Sequence, residues 1–310
     1  MKHFLQENDF SMDEIKEIFY HAFDYKFNRN LRPTNDLAGQ SWGLLFQKKS
    51  TRTRVSFEVG IRELGGHPLI LDQSSTQIGR GESIEDTIKV LSRFLDGLII
   101  RTHEHSIIEE FASHSSIPIV NALTDFLHPC QIFADCMTLL EKTGNSKDPC
   151  SLSGKKLTFF GDTQCNMANS WILAGALFGM KICLAGPEEF TPKMEMIQYL
   201  EACGLPIDFE HQTDPYIASR NSDVLYTDVW VSMGCESDAE ARKRHMSPFQ
   251  VNDKLLQISG SGTLFMHCMP THPGEEVSES VLASPQSILF DQAENRLHMQ
   301  KAILRQLAKS

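Results

Sequence analysis

Short apolar segments alternate with segments of helical periodicity along most of this chain, and this alternation limits the folds that the chain can adopt. Runs of apolar residues predict strands, and apolar residues at helical spacing predict the helices between them. In the first half, strands are predicted at residues 44–46, 67–71, 97–100 and 118–120, and helices at 11–24, 85–95 and 107–113. Strands that alternate with helices are typical of a parallel sheet with crossover helices.

The same alternation starts again after a change of composition at residues 144–153, which are rich in Gly, Asn, Lys, Asp, Pro and Ser. Such a stretch indicates a domain boundary, and 310 residues are enough for two domains with separate cores. Further strands are predicted at 156–161, 181–185, 207–210, 224–229 and 264–267, and helices at 166–178, 193–202 and 291–310. The sequence therefore predicts an α/β protein with two open, Rossmann-like parallel sheets.

The turn between the first strand and the helix that follows it is rich in hydrogen-bond donors. Ser50 stands at the N-cap position, and the next residues are Thr51, Arg52, Thr53 and Arg54. A helix start carries partial positive charge and unpaired N–H groups, so it favours an anion. The alternative is that Ser50 only caps the helix and the arginines are solvated. Because cations at a helix start oppose the helix dipole unless an anion is bound, we favour a phosphate or carboxylate site.

Other polar residues follow strands of the same half. Arg101 ends the third strand, and His128 and Gln131 lie just after the fourth, where Pro129 suits the first turn of a helix. Ligands of open α/β sheets bind at the carboxyl ends of strands. His128 could equally be an ordinary surface histidine, and Cys130 is more typical of a small packed side chain than of a nucleophile.

Strand ends of the second half carry a different chemistry. Asn166 follows one strand, Asp228 lies at the end of another, and Cys268 follows the last. A carboxylate with amide neighbours suits an amino group, and a buried Asp228 would need either a cationic ligand or an internal partner. Cys268 could also be a core thiol. The Gly-x-Gly-x-x-Gly fingerprint of dinucleotide sites is absent, which argues against a nicotinamide enzyme.

Charge and cysteine usage exclude several classes of protein. The chain has 29 basic and 40 acidic side chains and a net charge of −11, which argues against nucleic acid and anionic membranes as partners. No window approaches the ~20 apolar residues that span a bilayer, so we expect a cytoplasmic protein. The eight cysteines do not form the close pairs of zinc sites, so we expect reduced thiols in a reducing compartment.

Six segments of this chain, in the same order, resemble segments of the aspartate and ornithine carbamoyltransferase family, and its ornithine branch most closely. Ser-Met-Gly at 232–234 is the most specific signature, because it separates ornithine enzymes from those that act on aspartate. The segments are Ser-Thr-Arg-Thr-Arg at 50–54, Gln-Ile-Gly-Arg-Gly-Glu-Ser at 77–83, His-Pro-Cys-Gln at 128–131, Asp-Val-Trp-Val-Ser-Met-Gly at 228–234, His-Cys-Met-Pro at 267–270 and Glu-Asn-Arg at 294–296.

The resemblance implies carbamoyl transfer from carbamoyl phosphate to the side-chain amine of ornithine, giving citrulline and phosphate. It implies a carbamoyl phosphate-binding domain at 1–145, on which the helix at 291–310 packs back, an ornithine-binding domain at 146–290, and a cleft between them. It implies no cofactor and no metal, and a homotrimer or a higher assembly of trimers. A role in arginine metabolism follows, with synthesis and breakdown both open.

The resemblance also implies roles for individual residues. Cys268, Asp228, Arg101 and His128 would be catalytic, with Cys268 and Asp228 orienting and deprotonating the amine. Ornithine would bind through Asn166, Asp228, Ser232 and Met233. Gln77 would come from a loop that serves the site of a neighbouring subunit. Carbamoyl phosphate would bind through Ser50, Thr51, Arg52, Thr53, Gln77, Arg101, His128, Gln131, Cys268, Met269 and Arg296.

Some positions depart from the family pattern, and alternatives stay open. Met269 replaces a common leucine, a change of similar volume. Thr271-His272-Pro273 stands where Ala-His-Arg is frequent, which leaves a supporting arginine contact in doubt. The acceptor could be another amine, such as N-acetylornithine, putrescine or aspartate, although Asp228 argues against aspartate. The chain could also be a non-catalytic subunit that binds carbamoyl phosphate or an amino acid.

Overall fold

The computed structural model describes residues 1–48, 50–72, 81–144, 147–231 and 238–309. They form two units, each built around its own parallel sheet. Unit 1 contains Met1–Ser151 and Glu294–Ser310, and unit 2 contains Leu152–Ala293. None of the described helices is long and apolar enough to cross a lipid bilayer.

Unit 1 has a four-stranded parallel sheet with the order β2-β1-β3-β4. Its central strand β3 is buried along its whole length, as expected for a parallel strand with both faces covered. Its elements are α1 (Met12–Phe27), β1 (Ser41–Phe46), α2 (Thr51–Glu63), β2 (His67–Asp72), α3 (Ile84–Leu91), β3 (Gly97–Arg101), α4 (His105–His114), β4 (Ile119–Leu123) and α5 (Pro129–Thr143).

Unit 2 has a five-stranded parallel sheet with the order β7-β6-β5-β8-β9. Its elements are β5 (Lys156–Phe160), α6 (Asn166–Phe178), β6 (Lys181–Ala185), α7 (Met194–Ala202), β7 (Phe209–Gln212), α8 (Pro215–Ser219), β8 (Val224–Thr227), α9 (Ala239–Met246), α10 (Asp253–Ser259), β9 (Leu264–His267) and α11 (Glu279–Leu282). The last helix, α12 (Leu289–Ala308), begins in unit 2 and continues in unit 1 from Glu294.

These two sheets confirm the expected α/β class. Strand β7 lies two residues later than predicted, and the helices α8 to α11 were not predicted at all. Those helices are four to eight residues long, and apolar spacing cannot reveal a helix of one or two turns.

Strand order fixes where each sheet can bind a ligand. In unit 1 the order reverses between the neighbours β1 and β3, whose ends pair at Phe46 and Arg101. In unit 2 it reverses between β5 and β8, which pair at Phe160 and Thr227. Open α/β sheets bind ligands beyond the carboxyl ends of strands at such reversals. Ser50, Arg101, Asn166 and Asp228 lie at the ends of these strands, and His128 and Cys268 follow the adjoining strands β4 and β9.

Several polar groups are buried on and around α12 in unit 1. Lys301 is 1% exposed, and its Nζ donates to Glu63 Oε2 at 3.0 Å. Arg29 and Arg32 also bond Glu63, at 2.9 and 2.6 Å. A buried ion pair of this kind is costly to break, because removing one partner leaves an uncompensated buried charge. The cluster therefore fixes the C-terminal helix in unit 1.

His298 lies on the same helix and makes the stability of the protein sensitive to acid. It is fully buried, and its Nε2 lies 3.5 Å from Glu294 Oε1. Burial, together with the charges of Lys301, Arg29 and Lys26, lowers the pKa of His298 to about 3. In the unfolded chain the pKa of a histidine is about 6.5. Below pH 6.5 the unfolded state therefore takes up a proton that the folded state does not. The free energy of unfolding decreases as the pH is lowered.

We expect His298 to cost the wild-type protein about 2 kcal/mol of unfolding free energy between pH 7.5 and pH 5.0. His298→Gln removes the titrating group, so its stability should fall less over this range. Urea denaturation at both pH values measures the difference, and the same change at the exposed His67 is the control. An unchanged pH dependence in His298→Gln would show that His298 does not titrate in this way.

Candidate active site

The start of α2 lies beyond the end of β1, at the reversal of strand order in unit 1. Ser50 caps the helix, and its Oγ accepts a hydrogen bond from Thr53 N at 3.3 Å. Thr51 is exposed and Arg52 is half-buried. Among the described residues, no carboxylate pairs with the Arg52 guanidinium within 4.0 Å. The helix start thus presents donors at the position where a strand-end ligand would bind.

Thr53 is the centre of a buried cluster in unit 1. Its Oγ1 accepts a hydrogen bond from Arg296 Nη2 at 2.8 Å and lies 3.5 Å from Arg101 Nη1. Arg296 Nη1 also donates to Gln131 Oε1 at 2.7 Å. A hydroxyl accepts two hydrogen bonds and donates one, so this arrangement leaves the Thr53 proton to donate. Two guanidinium groups, each less than a tenth exposed, converge on one hydroxyl.

His128 is a neutral donor or acceptor beside this cluster. It is the N-cap residue of α5 and is 3% exposed. Burial lowers the pKa of His128 well below its usual value, and the charges of Arg296 and Arg101 lower it further. A neutral imidazole has one N–H donor and one acceptor nitrogen. At neutral pH His128 can therefore donate to an oxygen of a bound ligand without carrying a charge.

Cys130, which lies close to His128 in the sequence, is not a nucleophile. It is fully buried, its Sγ donates to Asn121 O at 3.2 Å, and burial raises its pKa to about 12. Because the thiolate is the nucleophile, a thiol with such a pKa is inert at neutral pH.

Asp228 and Cys268 meet at the strand ends of unit 2. The neighbouring strands β8 and β9 pair at Thr227 and His267, so the residues that follow them lie side by side. Asp228 Oδ1 accepts hydrogen bonds from Val229 N at 2.8 Å and from Cys268 Sγ at 3.0 Å. Both side chains are partly exposed. A carboxylate and a thiol thus lie side by side at the strand ends, where both can be reached from solvent.

The turn that carries Cys268 is held by His267, which sequence reasoning did not single out. Met269 has a φ of 60°, in the left-handed region that residues other than glycine rarely adopt. Its N–H donates to His267 Nδ1 at 2.8 Å, and His267 Nε2 lies 3.4 Å from Glu276 Oε1. Left-handed residues of this kind cluster at functional sites. The signal in the sequence was a histidine directly before Cys268.

Asn166 is the first residue of α6, beyond the end of β5. It is half-buried. Since β5 and β8 are neighbours, Asn166 and Asp228 follow adjacent strands of one sheet. Asn166 therefore lies at the same reversal of strand order as Asp228.

Two groups of described side chains offer ligand atoms within 4.8 Å of one another. Cys268 belongs to the first group and Glu276 to the second, and either group could hold a metal ion. The expectation that no metal is needed stays a prediction. The groups are Asp228 with His267 and Cys268, and His272 with Glu275 and Glu276.

The structure brings most of the candidate residues into two sets. Unit 1 assembles Thr53, Arg101, His128, Gln131 and Arg296, with Ser50, Thr51 and Arg52 at the adjoining helix start. Unit 2 assembles Asp228, Cys268 and Met269, and places Asn166 after the neighbouring strand. Gln77, Ser232 and Met233 lie outside the described residues.

Family profiles match both halves of the chain. The profile described as the carbamoyl-P binding domain of aspartate/ornithine carbamoyltransferase matches residues 2–141. The profile described as the Asp/Orn binding domain of aspartate/ornithine carbamoyltransferase matches residues 153–307.

Individual proteins are similar to this chain over nearly its full length. An ornithine carbamoyltransferase of Methanoculleus marisnigri is 45% identical over 304 residues, which is 98% of this chain and 96% of that protein. The protein of Pyrococcus furiosus named ornithine carbamoyltransferase, anabolic, is 43% identical over 96% of this chain and 93% of its own. The solved structure of ornithine carbamoyltransferase from Pyrococcus furiosus superposes with a TM-score of 0.90 at 41% identity, covering 100% of this chain and 97% of that one.

Proposed function

The chain belongs to the aspartate/ornithine carbamoyltransferase family, and from this premise we infer that it acts as an ornithine carbamoyltransferase. It transfers the carbamoyl group of carbamoyl phosphate to the side-chain amine of L-ornithine and releases L-citrulline and phosphate. The observation that carries this conclusion is the convergence of the Arg101 and Arg296 guanidinium groups on Thr53, next to a helix start rich in donors. That concentration of buried positive charge suits a dianionic acyl phosphate.

We propose that unit 1 binds carbamoyl phosphate. The phosphate accepts hydrogen bonds from the start of α2 and from Arg101. It also accepts one from the Thr53 hydroxyl, whose proton is not used in its contacts with the two arginines. The neutral His128 and the guanidinium of Arg296 donate to the carbamoyl oxygen, and Gln131 orients Arg296. The proposed contacts are Ser50, Thr51, Arg52, Thr53, Arg101, His128, Gln131 and Arg296, with Gln77, Cys268 and Met269.

The reaction needs these donors because its intermediate is negatively charged. Attack of the amine nitrogen on the carbamoyl carbon forms a C–N bond and places negative charge on the carbonyl oxygen. The bond from that carbon to the phosphate oxygen then breaks, and phosphate leaves with the electron pair. The departing phosphate takes up the proton that the attacking nitrogen must lose to become the neutral ureido nitrogen of citrulline. Removing one donor from an oxyanion site typically costs about 3 kcal/mol of transition-state stabilisation. His128 and Arg296 are the proposed donors.

We propose that unit 2 binds ornithine and prepares its amine. Asn166, Asp228, Ser232 and Met233 bind the α-amino and α-carboxylate groups. The side-chain amine has a pKa near 10 by analogy with lysine, so it must lose a proton before it attacks. Asp228 and Cys268, which share a hydrogen bond, orient the amine and accept this proton.

We further propose that the enzyme is cytoplasmic and assembles as a homotrimer or as a larger assembly of trimers. The Gln77 segment, which in this family serves a neighbouring subunit, supports this assembly. Light scattering of the purified protein measures its mass in solution. A mass equal to that of one chain, 35.0 kDa, would contradict the proposal.

Purified protein incubated with carbamoyl phosphate and L-ornithine should release citrulline and phosphate in equal amounts. The rate should rise from neutral to alkaline pH, because more of the amine is then unprotonated. N-Acetylornithine, putrescine and aspartate, tested in parallel, identify the preferred acceptor. Absence of citrulline across this pH range would refute the function. Binding of carbamoyl phosphate without release of phosphate would indicate a non-catalytic binding subunit instead.

A further inference from the structure

Arg242 connects three segments of unit 2 next to the proposed amine site. It lies on α9, and its side chain is 18% exposed. Its Nε donates to Trp230 O at 3.1 Å, and its Nη2 pairs with the Asp162 carboxylate. Its guanidinium carbon lies 5.1 Å from the centre of the Phe190 ring. One side chain thus bonds the segment after β8, the turn after β5 and the short helix Glu188–Phe190.

Asp162 is a buried carboxylate that depends on this arginine. It is 9% exposed, and its Oδ1 accepts a hydrogen bond from Gln164 N at 3.0 Å. Burial raises the pKa of Asp162, and the Asp228 carboxylate raises it further, while Arg242 lowers it. A buried carboxylate without its cation is strongly destabilising. Asp162 therefore needs the guanidinium of Arg242, and the two charges neutralise each other within unit 2.

The two segments that Arg242 joins carry ornithine-binding residues. Asp162 lies four residues before Asn166, and Trp230 lies two residues after Asp228. Trp230 also packs directly on Gly161, which has a φ of +108°. A Cβ at Gly161 would lie 3.0 Å from two atoms of the indole. The strands β5 and β8 are paired as far as Phe160 and Thr227. Beyond that pair, Trp230 packs on Gly161 and Arg242 bonds both segments, which holds the two segments together.

We propose that Arg242 is a positioning residue that holds Asp228 and Asn166 at the spacing needed to bind ornithine. The inference rests on the proposed function, since it takes these two residues as ornithine ligands. Arg242 is not assigned a direct contact with the substrate, because its guanidinium is already paired with the Asp162 carboxylate. Its planar guanidinium instead donates at once to a carboxylate and to a main-chain oxygen, which the single ammonium of lysine cannot reproduce in the same geometry.

Steady-state kinetics with each substrate varied in turn tests this role. Arg242→Gln should raise KM for ornithine more than tenfold, change kcat less than threefold and leave KM for carbamoyl phosphate within twofold of wild type. Arg242→Lys keeps the charge but loses the geometry, so it should also raise KM for ornithine. Arg244→Gln is the matched control, because Arg244 is exposed on the same helix and its Nε bonds the main-chain oxygen of Glu240, the one hydrogen bond of that side chain to the residues that the structure describes.

A double-mutant cycle tests whether Arg242 acts through Asp162. Asp162→Asn should raise KM for ornithine, and the double variant Asp162→Asn with Arg242→Gln should be no worse than Arg242→Gln alone, because both changes break one contact. The double variant also leaves no unpaired buried charge. It therefore supplies the test, together with Arg242→Lys, if Arg242→Gln does not fold.

Three results separate the possible failures. A wild-type protein that makes no citrulline would refute the proposed function. An active wild type with an unchanged KM for ornithine in Arg242→Gln and Arg242→Lys would overturn this inference alone. Equal rises in both KM values, accompanied by a lower melting temperature, would also overturn it, because they would mean that Arg242 only stabilises the fold.

Discussion

Replacing Arg52 by alanine should weaken the binding of carbamoyl phosphate more than a hundredfold, equivalent to about 3 kcal/mol. Arg52 lies in the first turn of α2, where its charge opposes the helix dipole unless an anion is bound. Among the described residues it has no carboxylate partner, so its side chain is available to a ligand. A charge-assisted contact with phosphate is roughly twice as strong as a neutral one. Isothermal titration calorimetry measures the loss.

Arg62 provides the control for this experiment. It lies on the same helix, is exposed and pairs with Glu58 at 3.2 Å. Surface pairs of this kind contribute little to stability, so Arg62→Ala should bind carbamoyl phosphate as the wild type does. Arg52→Ala should retain the wild-type melting temperature. An affinity within threefold of wild type in Arg52→Ala would remove this residue from the site.

Asp228→Asn should lower kcat/KM for ornithine about a thousandfold, or by about 4 kcal/mol. The Asp228 Oδ1 accepts a hydrogen bond from the Cys268 Sγ at 3.0 Å, and the carboxylate is proposed to pair with the substrate ammonium. An amide of the same shape keeps the packing but removes the negative charge and the proton acceptor. Steady-state kinetics with ornithine varied measures the loss. Cys268→Ala should lower mainly kcat, because the thiol is proposed to orient the amine.

Asp223 is the matched control, since it lies at the opposite end of β8. Its carboxylate bonds Lys155 Nζ and Lys156 N, each at 2.9 Å, far along the strand from Asp228. Asp223→Asn should therefore affect stability more than kinetics. Equal kinetic losses at Asp223 and Asp228 would show that the effect comes from disturbing β8. Wild-type turnover in Cys268→Ala would mean that this thiol only packs.

The local chemistry of the site was readable from the sequence because it depends on strand ends. Ser50 and Asp228 follow strands and Arg101 ends one. The apolar runs of these strands are distinct, and parallel strands bring such ends to one edge of a sheet. The Arg242–Asp162 pair was not readable. Its partners lie 80 residues apart, and α9, which carries the arginine, is only eight residues long.

Burial in unit 1 was also harder to predict than secondary structure. The C-terminal helix was predicted from its apolar residues, and His298, Gln300 and Lys301 on it are also buried. The spacing of polar residues does not reveal that they are buried, because the residue that pairs with a buried polar group can be distant in the sequence. For Lys301 that partner is Glu63, which is 238 residues away.

The bond between Thr53 and Arg296 has a consequence for how the enzyme is made. Its two residues are separated by 243 positions, although both belong to unit 1. At a synthesis rate of ~5–20 residues per second, the ribosome adds Arg296 roughly 12–50 s after Thr53. Until then, a nascent chain holds most of unit 1 but not the guanidinium that completes its donor cluster. If unit 1 binds carbamoyl phosphate as proposed, its donor cluster is therefore complete only after Arg296 has been added.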